Sequence, residues 1–199
     1  MNEKELNPVI IEGSIGGNQD WFRDYWMKLG GCAAVTACDS SIYFAQEFKM
    51  TELYPFNITE LSKKDYIEFS KIMKPYLKPR FSGIDRLGIY IDGYERYLKD
   101  VGNNSIKVTG LEGTCEYEKY EHAVIQQLDN NLPIPCLVLK HKLPHLDDYV
   151  WHWFLLMGYG YQGNKLMVKT VTYSHERWFF LEDIWNSGYK RKGGLILFK

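Results

Sequence analysis

Several things are missing from this sequence, and each gap removes a class of function. No stretch approaches the roughly 20 apolar residues of a membrane-spanning helix. The longest apolar run, Val150 to Tyr159, is strand-like and holds a histidine. The N-terminal Met1-Asn2-Glu3-Lys4-Glu5 is charged, and no apolar core of signal-peptide length follows it. Basic residues form no stripe and the net charge is −1. Nucleic acid and an anionic membrane are therefore not expected as main partners. Cysteine is sparse: Cys32, Cys38, Cys115 and Cys136 show no CxxC pairing and no regular framework. A chain of this size needs no disulfide staples, so four free thiols in a reducing cytoplasm are expected, and the spacing supports no zinc site. The Gly13–Gly17 loop lacks the GK[ST] ending of a phosphate-binding loop. There is no internal repeat, no low-complexity segment and no sign of a cofactor.

What is present suits one globular domain. The chain has 199 residues, 45% hydrophobic, enough for a sizeable core. Aromatic residues reach 16%, with fifteen tyrosines, which points to a ring-rich core and an aromatic-walled cleft. Residues 1–18 read as irregular and Gln19 to Leu29 as a short helix. A helix opening at Cys32 and running to residue 47 follows, with Ala34, Cys38, Ile42 and Ala45 as its apolar stripe. Ser62 and Asp65 have the spacing of a capping box, so a second helix begins there. A third lies between Gly83 and Gly102, and a fourth covers Tyr117 to Leu128, with a strand at Ile106 to Thr109 between them. After Pro133 the period changes. Strands are predicted at Ile134–Leu139, Tyr149–Tyr159, Lys165–Tyr173 and Arg177–Phe180, then one helical turn at Leu181–Trp185 and a closing strand at Leu195–Phe198. Residues 1–131 are mainly helical and 132–199 mainly antiparallel strand, which is α+β.

Gly30-Gly31-Cys32-Ala33-Ala34 is the stretch with most chemistry in it. It places a thiol at a helix start, where unpartnered N–H groups and the helix dipole favour a thiolate. Two readings stay open from this stretch alone: a nucleophile, or a small buried hydrophobe. A cysteine nucleophile needs a base. Of five histidines, His122 lies in a predicted helix, His141 and His145 flank Pro144 in a loop, and His175 lies in a charged turn. His152 alone stands inside an apolar strand, where a polar ring needs a reason.

With these residues placed, the sequence resembles the papain-like cysteine peptidase superfamily, nearest the bacterial double-glycine, bacteriocin-leader-processing branch. The matching residues are Gly31-Cys32-Ala33-Ala34, Leu132-Pro133-Ile134-Pro135 and His152-Trp153-Phe154-Leu155-Leu156-Met157-Gly158-Tyr159, and the order of elements covers nearly the whole chain. The resemblance implies a helical lobe carrying Cys32, an antiparallel lobe carrying His152, and a cleft between them. It implies a thioester mechanism on a peptide or small acyl substrate, as a peptidase or amidase. The alternatives are an acyltransferase of the same fold and a catalytically weakened module that binds a peptide or small molecule.

Two positions depart from the family pattern. The family's oxyanion glutamine stands six residues before the cysteine, where this chain has Trp26; the nearest glutamine is Gln19. The family orients its histidine with Asp or Asn on the return strand. Here Thr170 is the first choice for that place and Thr172 the second, with His152 expected opposite Thr172 and Thr170 diagonal. A threonine hydroxyl carries no charge and stabilises an imidazolium less than a carboxylate does.

Overall fold

The computed structural model describes residues 3–80 and 83–199. In chain order the elements are β1 (Lys4–Glu5), β2 (Ile10–Ile11), β3 (Ser14–Ile15), α1 (Tyr25–Gly30), α2 (Cys32–Glu47), α3 (Lys63–Met73) and α4 (Leu87–Asp100). Then come β4 (Val108–Glu112), α5 (Tyr117–Asp129), β5 (Ile134–Val138), β6 (His152–Gln162), β7 (Lys165–Thr172), β8 (His175–Phe180), α6 (Leu181–Trp185) and β9 (Gly194–Phe198). The main sheet is antiparallel in the order β4-β9-β5-β6-β7-β8, and β1 also pairs with β6. Helices dominate the first two thirds and strands the last third, as the α+β reading expects. Among the described residues, no helix is long and apolar enough to cross a membrane.

The α2 helix is the centre of the packing. Every residue from Ala33 to Ala45 is buried, so the helix is not amphipathic as its stripe suggests. It lies against β6 and is covered by α3, and a helix enclosed in this way has no solvent face. Ala33, Ala34, Ala37 and Ala45 supply the small surfaces that enclosure needs. Gly31, which joins α1 to α2, is tighter still: a Cβ there would sit 2.2 Å from the Met27 carbonyl oxygen. Trp153 of β6 ties α4 to the sheet. Its ring stacks on Tyr90 at 4.7 Å, and its indole N–H donates to the Ile84 carbonyl at 2.6 Å.

Local polar groups explain where the elements differ from the predicted ones. The single helix expected over Gln19–Leu29 is two. Asn18 accepts from the Asp20 N–H and starts a 3₁₀ turn over Gln19–Trp21, and Asp24 accepts from the Met27 N–H and starts α1. Two N-caps six residues apart enforce two starts. Ser62 caps α3 through the Asp65 N–H. The strand predicted from Ile106 begins at Val108 instead, because the Asn103 side chain accepts from the Ser105 and Ile106 N–H groups and holds them in a turn. Residues 1–18 are not wholly irregular: β2 and β3 form a hairpin through Glu12 (φ 46°) and Gly13 (φ 80°), the left-handed pair that matches strand twist. The histidine strand begins at His152, three residues late. Pro144 opens a 3₁₀ turn that runs to Tyr149, and Trp151 then takes φ 52°.

Candidate active site

Cys32 is the first residue of α2. One turn of backbone N–H groups is free of helical partners there. The residue is partly exposed as a whole, but its thiol lies inside, and burial raises its pKa from the ordinary thiol value. The N–H groups of Trp153, Ala33 and Cys32 itself point at it and pull the other way. The sequence expectation of a stabilised thiolate is therefore corrected: desolvation outweighs the helix start, and the resting group is a thiol. The Trp153 contact places the sulfur against the first residues of β6. The other thiols are also raised by burial, Cys38 and Cys136 with their side chains fully inside and Cys115 half-buried.

His152 is 5% exposed at the head of β6. Its ring stacks face to face on Tyr173 at 4.7 Å and 4°, with Phe154 and Tyr149 also around it. This apolar box disfavours the imidazolium, and burial lowers the pKa to about 4. Nε2 shares a 2.6 Å hydrogen bond with Thr172 Oγ1. Among the described residues no hydrogen bond joins His152 to Cys32. The remaining histidines are occupied or exposed: His141 bonds through both ring nitrogens, to the Asp183 carbonyl and the Leu143 N–H, and His145 lies 3.4 Å from an Asp183 oxygen.

Thr170, the first choice for the orienting position, is elsewhere. Its hydroxyl meets Tyr149 Oη at 2.9 Å and donates to the Arg177 carbonyl at 3.1 Å. The register explains this. The hairpin turns at Gly163–Asn164, with Gln162 opposite Lys165, and a bulge between Leu156 and Gly158 then shifts the pairing by one, so Thr170 pairs with Leu156 and Thr172 reaches His152 along a diagonal rather than from directly opposite. Thr172 closes a two-residue turn with Tyr173 (φ 49°) and Ser174 (φ 62°), and this turn lays the Tyr173 ring on the imidazole. Sequence reasoning missed Tyr173. The sequence pattern runs Tyr173 into the strand and leaves a three-residue gap before Arg177, and a tyrosine at positive φ is uncommon and costs of order 1–3 kcal/mol, so the two-residue turn had no local signal.

Thr172→Val is expected to lift the tautomer preference of His152, read from ring-nitrogen chemical shifts. Thr170→Val should leave those shifts unchanged and lower stability by about 1–3 kcal/mol, because it leaves the Tyr149 hydroxyl without its partner. Matching shift changes in both variants would refute the assignment of Thr172.

Gln19 and Trp26 both reach the site. Gln19 sits in the 3₁₀ turn before α1 and lines a small cavity together with Cys32, His152 and Thr172. Its Oε1 is buried without a hydrogen-bond partner. The loop before it is tied to α2 by Asp39, whose two carboxylate oxygens accept from the Gly17 N–H at 3.1 and 3.0 Å. Tyr66 Oη donates to the same carboxylate at 2.8 Å. Gly17 has no room for a side chain: a Cβ would lie 1.8 Å from Tyr66 Oη. Asp39 was also missed from sequence, although a lone acid among Ala, Cys, Ser and Ile on a helix is the mark of a paired buried carboxylate.

A cleft of about 520 Å³ opens beside the thiol. Cys32, His152 and Gln19 line it together with Trp26, Trp151 and Arg80. The same space therefore holds a thiol, a neutral imidazole, an amide and helix-start N–H groups, a set able to attack and stabilise a carbonyl carbon. Among the described residues, no group of three or more His, Cys, Asp or Glu side chains is arranged to hold a metal ion. No family model, curated protein or solved structure matches this chain.

Proposed function

We propose that the protein is a cysteine hydrolase acting by acyl transfer, with Cys32 as nucleophile and His152 as base, in a papain-like arrangement. The observation that carries this reading is the convergence of Cys32, His152 and Gln19 on one cleft, with Thr172 holding the far nitrogen of the imidazole. With Nε2–H donating to Thr172 Oγ1, Nδ1 is left as the acceptor. As the sulfur bonds to the carbonyl carbon, Nδ1 takes the thiol proton, and the oxyanion receives N–H groups from the start of α2 and the amide of Gln19. The C–N bond then breaks, the proton passes to the departing amine, and a thioester remains on Cys32. Water, deprotonated by Nδ1, releases the acid and restores the thiol. An amine in place of water gives acyl transfer by the same steps.

A non-catalytic binding module is the second reading, and one observation favours it: both members of the pair rest uncharged. Brief iodoacetamide treatment with mass-spectrometric mapping separates the two. Cys32 is expected to react ahead of Cys38, Cys115 and Cys136, with a rate that climbs with pH because its thiol titrates above the ordinary value. Preferential labelling of Cys115, the other partly exposed cysteine, would refute the enzyme reading.

A further inference from the structure

The cleft beyond the thiol has a definite chemistry. Trp26 is 49% exposed, Leu29 64% and Trp151 44%, and all three line this one space. Large apolar side chains this exposed and this close together mark a binding surface rather than chance. Trp151 is also held in strain. It takes φ 52° immediately before His152, where a bulky residue is disfavoured. Its N–H donates to the Leu139 carbonyl at 2.7 Å, and the Arg191 guanidinium lies over its indole at 5.8 Å, itself anchored to Asp85. The fold spends backbone strain to keep an indole at the mouth of the cleft.

The charge of the cleft is equally specific. His152 is neutral, and Arg80 is the ionised side chain that lines the space. Among the described residues no carboxylate lies within ion-pair distance of Arg80, as is also true of Arg23, Arg86 and Arg96, but of these Arg80 is the one that lines the cleft. A planar guanidinium beside an apolar wall favours a carboxylate carried on an apolar body.

We propose that the cleft takes substrates whose body is an aromatic group bearing a carboxylate, the ring against Trp26 and Trp151 and the carboxylate on Arg80. This rests on the reading of Cys32 and His152 as the reacting pair, and it names the class of acyl compound that pair acts on. Trp26 then stands as a specificity residue at the position where the resembled family carries its oxyanion glutamine.

Binding can be read without turnover. The probes are 3-phenylpropanoate, its neutral amide, and acetate, titrated into the wild-type chain. The readouts are intrinsic tryptophan fluorescence and protection of Cys32 from iodoacetamide. The propanoate is expected to bind about five- to tenfold tighter than the amide and to protect Cys32, and acetate to bind far more weakly than either. Arg80→Gln should abolish the preference of acid over amide while leaving affinity for the amide unchanged. Trp26→Ala should weaken acid and amide alike, by about tenfold. Equal affinity for acid and amide, an unaltered preference in Arg80→Gln, acetate binding as well as the propanoate, or no binding of any probe would each overturn the proposal. Of the probes only the amide has a bond the proposed pair could break, and a repeat of its titration in Cys32→Ala, read by fluorescence, reports binding alone, so these outcomes stand apart from the labelling of the ligand-free thiol, which decides the enzyme reading.

Discussion

His152→Ala is expected to lower turnover of an aromatic, carboxylate-bearing acyl substrate by about 10²–10⁴-fold, the usual loss when a positioned base is removed. The same substitution at His122 should leave turnover unchanged, since that ring is exposed on α5 and lies outside the cleft. The acid limb of kcat/KM should be centred near pH 4, where the apolar box of Tyr173, Phe154 and Tyr149 sets the imidazole. A solvated histidine would place it near 6.5. Tyr173→Ala opens that box, so the limb should move upward in that variant while Thr172 still holds Nε2. A wild-type limb at 6.5, or one that Tyr173→Ala fails to move, would mean that the ring is not enclosed when it works. Near-ultraviolet circular dichroism of each variant checks that loss of activity is not loss of packing.

Asp39→Asn should make the fold acid-sensitive. Two buried groups oppose each other in the protein. His152 has a folded pKa of about 4 against about 6.5 unfolded, so the unfolded chain binds the proton first. Its contribution is fully present above pH 6.5 and is lost as pH falls through 4, by about 3 kcal/mol. Asp39 runs the other way. Burial raises its pKa to about 6 despite the Gly17 and Tyr66 hydrogen bonds. Its contribution is fully present below the unfolded pKa of about 3.9 and is lost as pH rises through 6, again by about 3 kcal/mol. Between pH 4 and 6.5 the two nearly cancel. An asparagine keeps an acceptor for the Gly17 N–H and removes the titration, so the histidine term stands alone. Unfolding free energies from urea titrations at pH 7 and pH 4 should then differ by about 3 kcal/mol more in Asp39→Asn than in the wild type. Parallel pH dependence in the two proteins would show that Asp39 is ionised throughout this range.

Asp39 also bears on the site. It tethers Gly17, two residues before Gln19, to the helix that carries Cys32. Gln19 lies thirteen residues upstream of the cysteine, and a 3₁₀ turn, an extended step and α1 fill the interval. The path returns because Gly31 lets α1 and α2 close on each other, and because Gly17 lies flat against Tyr66. A spacing rule that counts six residues back finds Trp26, and the cleft holds Trp26 as well. The chain thus brings both residues to the site, one with an amide and one with an indole.

The sequence by itself determined the elements and the pair of residues worth testing. Helix starts at Cys32 and Ser62, the change of period after Pro133 and the apolar strand carrying His152 are local signals, and local signals survive in any tertiary setting. Three matters were decided only by the tertiary structure. The first is which threonine meets His152. Thr170 and Thr172 share a strand face, and a bulge near Met157 resets the register in a way no pattern of apolar residues records. The second is protonation. A helix start favours a thiolate and a strand histidine invites a charge, but the packing of Tyr173, Phe154 and Tyr149 around the ring and the burial of Cys32 make desolvation the larger effect. The third is the cleft, whose walls come from α1, the segment before β6 and the segment before α4. Their meeting depends on long-range packing of Trp153 and Tyr90, contacts 63 residues apart that only the folded chain makes.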